Sequence, residues 1–311
     1  MQNIHRLAVP NPFFEGRNSV YLLIGDPLTL IDTGVATDKA YEHLVKGLRT
    51  HGVSVSDVQR VLLTHKHIDH IGNAWRLQKE ANVEVFIHEL EQKSLTDVDP
   101  SGERFRQVVE TRTATWEIPA EASKKSFGTK MPQWQLEPCN VNPLPDRLPF
   151  CWRDGEQQSI EVIHTPGHSM GSVCFRLGDV LFSGDHVLER ISPNIGGGDL
   201  RSRGMLARFL DSLERVKQLG DLHIHPGHDE PFHGLVDRCE RLAKHHSVRL
   251  KQALRAVENG RSSVFDISSA LYGELKGFHV MLGCAEANAH LEYLADNGEI
   301  VERDGKYFPL P

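Results

Sequence analysis

Apolar residues along the first third of the chain follow two alternating rhythms. SVYLLIG (19–25) and LTLIDTG (28–34) are short apolar runs split by Asp26-Pro27, and they predict two strands joined by a turn. ATDKAYEHLVKGLRTHG (36–52) returns apolar side chains at helical spacing and stops near Gly52. VQRVLLTH (58–65) reads as a buried strand, GNAWRLQKEAN (72–82) as a helix and VEVFIHE (83–89) as the next strand. Strands buried against helices in this order predict layered α/β packing.

Residues 98–150 break the rhythm. They mix charge with Pro100, Pro119, Pro132, Pro138, Pro143, Pro145 and Pro149, and leave room for one or two helices within 102–127. This stretch reads as an insertion over the main fold, a lid over the site. Strands resume at QSIEVIHT (158–165), SVCFRLG (172–178) and DVLFSGD (179–185). A strongly periodic helix (204–220) and a last strand, LHIHPGH (222–228), follow. From 235 the texture changes to a long helix (235–260), two more helices (266–273 and 281–298) and a hairpin (299–310) turning at Asp304-Gly305. Three helices followed by a two-stranded wing form a winged-helix pattern. The expected division is a domain over 1–234 and a winged-helix-like domain over 235–311.

The composition is that of an ordinary soluble globular protein. Of 311 residues, 39% are hydrophobic and 25% charged, with a net charge of −7, so no chain-wide basic field points to nucleic acid or an anionic membrane. The start has no signal-peptide pattern and no apolar run reaches membrane-spanning length. The five cysteines are scattered with no C-x-x-C pair, which fits reduced thiols in a cytoplasmic protein. Histidine stands out, with 18 residues, several in clusters.

The densest cluster is LLTHKHIDHIGN (62–73). At a strand end, His65 and His67 are two apart and point to one face, so both rings can reach one ion. Asp69 and His70 follow where the chain turns toward Gly72, facing the same hollow with room for a second ion. Imidazole with carboxylate suits zinc, with iron or manganese as alternatives. More histidines and aspartates recur at strand ends: Asp32 in LIDTG, His168 in HTPGHS, Asp185 in LFSGDH and His228 in HIHPGH. A buried strand ending in a lone carboxylate needs a partner, and a metal or a metal-bound histidine supplies one.

His65-x-His67-x-Asp69-His70, then His168, Asp185 and His228, with Asp32 upstream, resembles the metallo-β-lactamase-fold hydrolases over residues 19–230. The resemblance implies an αββα sandwich with two divalent ions at one edge of its sheets. It assigns His65, His67 and His168 to the first ion, and Asp69, His70 and His228 to the second. Asp185 would bridge them, and Asp32 would orient a ligand from behind. A carboxylate bridge is like glyoxalase II and unlike most true β-lactamases. The implied chemistry is attack by a metal-bound hydroxide, made available near neutral pH by ions about 3.5–4 Å apart. Asp69 would orient the nucleophile and move its proton, and His186 is a candidate catalytic contact to substrate. Ser183 reads as turn chemistry. The glycine-rich 192–199 loop reads as a pocket wall, with Phe13 and Phe14 at the pocket mouth. His88, His164, His223 and His225 read as packing, and His245-His246 as solvated.

With the tail included, the chain resembles the lactamase-beta-like protein 2 subgroup, carried by 250–273 and 288–308. That subgroup holds thioesterase-like hydrolases and ribonucleases. Residues 261–311 carry four basic residues against eight acidic ones, and the would-be recognition helix 281–298 has no Lys or Arg. Phosphate contacts need cations, so the tail reads as a structural or dimerising module. Arg238, Arg241, Lys244, Arg249, Lys251 and Arg255 make the preceding helix basic, which reads first as a solvated face, with contact to an anionic substrate tail as the alternative. The expected function is hydrolysis of a small-molecule thioester, acyl-CoA or hydroxyacylglutathione-like, in the cytoplasm, by a homodimer without membrane contact. The alternative is a metal-dependent ribonuclease acting on RNA. A lactonase, a β-lactamase and a catalytically silent binding protein rank below both.

Overall fold

A computed structural model describes residues 3–12, 17–99, 102–122, 135–197, 200 and 202–310. Phe13, Phe14, Pro100, Pro132 and the end of the 192–199 loop lie outside the described residues.

Two six-stranded sheets face each other. The first contains β1 (Ile4–Pro10), β2 (Arg17–Leu23), β4 (Thr29–Ile31), β5 (Arg60–Leu62), β6 (Glu84–Ile87) and β7 (Asn142–Pro143), in that order. The second runs β12 (His223–Pro226), β11 (Val180–Gly184), β10 (Val173–Leu177), β9 (Gln157–His164), β8 (Arg147–Trp152) and β3 (Gly25–Asp26). The inner strands β2, β4 and β5 of the first sheet are buried on both faces because each face has its own core. Tyr21, Leu23, Ile31 and Leu62 turn inward onto Phe150, Phe175 and Phe182 of the second sheet. Leu22, Leu30 and Val61 turn outward onto Leu44 and Leu48 of helix α1 (Asp38–Thr50) and Leu77 of a later helix (Ala74–Ala81). The second sheet repeats the device. Cys174, Leu181 and Ile224 face outward onto Leu206, Phe209 and Leu213 of the helix Met205–Lys217. The layers are therefore α, β, β, α, as expected.

Part of 98–150 is sheet and not insertion. Its last residues form β7 and β8, which pair with β6 and β9. β8 alternates exposed and buried positions from Arg147 to Phe150, but it lies among Pro143, Pro145 and Pro149, and this strand escapes a pattern reading. The helix Glu103–Thr115 ahead of it is weakly amphipathic and buries one residue along its length, Val109.

The tail folds as three helices, Leu235–Glu258, Val264–Tyr272 and His279–Asp296, then a hairpin of β13 (Ile300–Arg303) and β14 (Lys306–Pro309). The first of these helices belongs to two cores. Leu235, Cys239 and Leu242 pack with Phe209 and Ile224 of the sandwich, whereas Ala253, Ala256 and Val257 pack with the tail. Hydrophobic packing thus runs through residue 234 without a break. Among the described residues, no helix is long and apolar enough to cross a membrane.

Candidate metal centre

The histidine and aspartate residues singled out above converge because the strands carrying them end at one edge. β4 and β5 are parallel, as are β11 and β12, and β9 and β11 both run antiparallel to β10. Asp32, the 64–70 turn, His168, Asp185 and His228 each follow the C-terminal end of one of these strands. β5 ends at Leu62, earlier than expected, so His65 and His67 stand on a turn. The extended backbone of His67 (φ −63°, ψ 143°) opens a short helix, Ile68–Ile71, that carries Asp69 and His70.

One group joins His65, His67 and His168. The His65 Nε2 lies 3.0 Å from the His67 Nδ1, and the His168 Nε2 lies 2.8 Å from that same atom. A second group joins Asp69, His70 and His228. The His70 Nε2 is 3.6 Å from the Asp69 Oδ2, and the His228 Nε2 is 3.4 Å from it. Asp185 lies between the groups. Its Oδ1 is 3.4 Å from the His70 Nε2, and its Oδ2 is 3.5 Å from the His168 Nε2, 3.4 Å from the His228 Nε2 and 4.0 Å from the His65 Nε2.

Four of these imidazoles give away their other nitrogen. The His70 Nδ1 donates to Asp32 Oδ2 at 2.8 Å, and the His168 Nδ1 donates to the Asn194 carbonyl at 2.8 Å. The His228 Nδ1 donates to the Arg17 carbonyl at 3.2 Å. The Thr64 hydroxyl spends its proton on Asp32, so at 3.0 Å it accepts from the His65 Nδ1. Each Nε2 is thereby aimed at the common hollow, the arrangement that fixes tautomer in metal-ligating histidines. The His70 Nε2 and the Asp185 Oδ1 are buried and have no hydrogen-bond partner among the described residues. Lone pairs facing carboxylate oxygens at this density require a cation, so the residue set fits divalent metal.

Electrostatics separates the two groups. Burial lowers His65, His67 and His168 below the ordinary histidine range, so they are neutral. Burial also opposes charge on His70 and His228, but the carboxylates outweigh it. Asp185, Asp69 and Asp32 hold His70 well above 6.5, and Asp185 and Asp69 hold His228 at about 10. Burial likewise opposes ionisation of Asp69 and Asp185. Their neighbours His70 and His228 nonetheless keep both carboxyls below the usual range. In the metal-free protein, protons on His70 and His228 occupy the place a cation would take.

Asp32 is the brace under the turn. It adopts a left-handed backbone (φ 60°), rare for a side-chain-bearing residue, and accepts from the Thr64 N–H at 2.8 Å, the Thr64 hydroxyl and His70. Sequence reading missed four other supports. Asn11 and Asn18 each donate to Asp69 Oδ2 at 3.1 Å. Buried Glu91 accepts from the Ser169 hydroxyl at 2.5 Å and the Gly171 N–H at 2.9 Å, pinning the turn that bears His168. Asn194 receives His168. Single polar residues in loops carry no periodic signal, so none of these stands out in the sequence.

His186 follows Asp185 but lies apart from the ligand groups. It is buried against Phe209, with ring centroids 5.1 Å apart, and burial lowers it to about 3. The Ser183 hydroxyl closes its turn on the Val187 carbonyl at 2.8 Å. His88 and His164 stack at 4.2 Å, and His225 packs against Tyr21 and Phe182. The expectation of a solvated His245-His246 pair fails for His246, which is buried because the last helix covers its face and His290 meets its ring. On the basic helix, Arg238 is spent on the Leu188 and Ile191 carbonyls, and Arg241 pairs with Asp237 at 2.9 Å.

A sequence model described as the metallo-beta-lactamase superfamily matches residues 13–228. The probable metallo-hydrolase YqjP of Bacillus subtilis is 26% identical over 94% of this chain and 92% of its own. The human acyl-coenzyme A thioesterase MBLAC2 is 26% identical over 75% of this chain and 81% of its own. The crystal structure of metallo-beta-lactamase family protein TTHA1429 from Thermus thermophilus superposes with a TM-score of 0.82 at 28% identity, covering 100% of this chain and 99% of its own.

Proposed function

The chain belongs to the metallo-beta-lactamase superfamily, and from that premise we propose that it is a dinuclear metal hydrolase of acyl thioesters, of the acyl-coenzyme A or hydroxyacylglutathione type. The observation that carries the metal reading is the set of four imidazoles whose Nδ1 protons are donated away, leaving four Nε2 atoms around Asp185. In this reading His65, His67 and His168 would hold one ion and Asp69, His70 and His228 the other, with Asp185 lying between the two groups. Bound there, zinc, iron or manganese ions lower the pKa of water and polarise the substrate carbonyl.

The chain's own residues do the rest. Asn11 and Asn18 fix Asp69 through one oxygen, so its carboxylate can orient the attacking water and accept its proton. Water's oxygen bonds the acyl carbon, the carbon–sulfur bond breaks, and the proton leaves with the thiolate. The thioester assignment is supported by the likeness to MBLAC2 along three quarters of the chain. We read 235–311 as a winged-helix-like structural unit. Its last helix buries eleven of its 18 residues, and Gly283, Ala285, Ala289, His290 and Glu292 are covered as well as the apolar stripe from Val280 to Leu294, which leaves little of its circumference to enter a nucleic-acid groove.

The test is metal analysis with a substrate panel. Purified protein is expected to carry two divalent ions and to release free thiol from acyl-coenzyme A or acylglutathione esters, and not to cut RNA. His67→Ala is expected to lower turnover at least a hundredfold. Equal turnover in that variant would refute the site, and cleavage of RNA alone would replace the thioester reading with the ribonuclease one.

A further inference from the structure

The loop after β11 connects the metal centre to the tail. Asn194 sits at its middle. The Asn194 carbonyl accepts the Nδ1 proton of His168. The Asn194 carboxamide Nδ2 donates to Glu286 Oε2 at 2.9 Å and to the Leu282 carbonyl at 3.1 Å, both on the last helix. Its Oδ1 accepts from the Gly197 N–H at 2.9 Å. Every strong hydrogen-bonding atom of that amide is used, so its position is fixed by the tail helix on one side and its own turn on the other.

A second tie runs beside the first. The Glu286 carbonyl can only accept, so the His290 Nδ1, 2.7 Å away, donates to it. Burial keeps His290 and His246 neutral, lowering them to about 4 and about 3. The His290 Nε2 is then an acceptor, and the His246 Nδ1 donates to it at 3.2 Å. That leaves the His246 Nε2 as an acceptor, 3.3 Å from the Ser192 hydroxyl, which donates. The proton directions form one consistent chain from the last helix to Ser192, two residues before Asn194. His245, His246 and Glu286 also bring ligand-type atoms within 4.8 Å of one another. Both His246 nitrogens are nonetheless engaged within the protein, so the cluster functions as a tie.

We infer that Glu286 of the tail is a positioning residue for the catalytic centre: through Asn194 it sets the ring orientation and tautomer of His168. The inference rests on the metal-hydrolase reading for its consequence, but its geometry does not. Losing the tie lets the Asn194 carbonyl move, and His168 loses the partner that directs its Nε2 inward. Supports of this kind typically carry about 10–100-fold in metal affinity.

The experiment uses the full chain. Histidine side-chain 15N NMR of the metal-free protein reads the His168 tautomer, and chelator competition with cobalt(II) reads the affinity of each ion. Wild type is expected to show the Nδ1–H tautomer at His168. Glu286→Ala is expected to lose that signature and to weaken one of two cobalt ions about 10–100-fold. Glu286→Gln keeps an oxygen to accept from Asn194 and is expected to stay within a few-fold of wild type. If Glu286→Ala does not fold, Asn194→Ala asks the same question from the loop side. A folded Glu286→Ala protein with unchanged tautomer and cobalt affinity would overturn the inference. So would a third cobalt ion lost in His246→Ala, because the tie leaves no lone pair for it. Wild type that binds no divalent ion, with the Nδ1–H tautomer present in wild type and lost in Glu286→Ala, would instead sink the functional reading and leave the tie standing.

Discussion

At the scale of single residues, His70 shows how the centre is tuned. It has Asp32 on Nδ1 and Asp69 and Asp185 near Nε2, and these carboxylates overcome burial to hold its proton. His228 is held at about 10 by the same pair, Asp185 and Asp69. A divalent ion entering near neutral pH must displace both protons, whereas the neutral His65, His67 and His168 have none to lose. Metal uptake by the apo protein in weak buffer at pH 7.5 is therefore expected to release about two protons per chain. Apparent affinity is expected to rise with pH across the range in which His70 and His228 lose their protons, about pH 10 for His228. Affinity independent of pH from 6 to 9, measured by calorimetry in buffers of different ionisation enthalpy, would contradict this account. Asp32 offers a sharper substitution. It accepts from three donors, the Thr64 N–H, the Thr64 hydroxyl and His70, and donates to none. Asp32→Asn keeps the shape but turns an NH2 toward one of those donors. Metal affinity is expected to drop about 10–100-fold, with a folded protein by circular dichroism, and a variant that binds like wild type would show the brace to be dispensable.

At the scale of elements, the turns matter more than the strands they follow. Gly227 lies between β12 and His228, and a Cβ there would stand 2.5 Å from Asp185 Oδ1 and 2.8 Å from the His70 Cε1. The same Cβ meets the Gly184 backbone carbon at 3.1 Å, but its two nearest contacts are on the centre and none is with the hydrophobic cores, so most of the cost of Gly227→Ala falls on the centre. The variant is expected to melt within a few degrees of wild type while losing at least tenfold in metal affinity. Unchanged affinity would mean the turn yields freely. The sequence reveals such turns because Pro-Gly after an apolar run is a strong local signal, and His168 and His228 stand directly behind one each. The same logic made the strands before Asp32, His65 and Asp185 legible, since an apolar run ending in a polar ligand type is unusual. β1 and β8 were not legible. β1 mixes His5 and Arg6 with half-buried positions, and β8 lies in a proline-rich stretch whose register is set by pairing with β9. Asn11, Asn18, Glu91 and Asn194 escaped for another reason. Their roles depend on contacts across 58, 51, 78 and 26 residues of sequence, and only the folded chain brings those positions together.

At the scale of the whole molecule, the tail is part of how the sandwich is held. A division at 234 suits the change in sequence texture, but the helix Leu235–Glu258 closes the outer core of the second sheet. Leu235 and Leu242 are almost fully buried there beside Leu206, Phe209 and Ile224, and Ala289 of the last helix joins the same core. Burying a leucine contributes about 1.5–3 kcal/mol. Removing both, with Cys239 and Ala289, therefore costs on the order of 5 kcal/mol, against a total stability of about 5–15 kcal/mol for a typical domain. A fragment ending at Gly234 also loses the Glu286 and Leu282 acceptors of Asn194. It is expected to be insoluble, or to melt without cooperativity while binding a hydrophobic dye. A fragment ending at Glu258 keeps Leu235, Cys239 and Leu242 in place and is expected to be the more soluble of the two, yet to bind metal more weakly than the full chain because Asn194 has lost its partners. Calorimetry and cobalt binding on the two fragments separate packing from positioning. If the 1–234 fragment melts cooperatively at the temperature of the intact protein, the shared core is not what holds the second sheet.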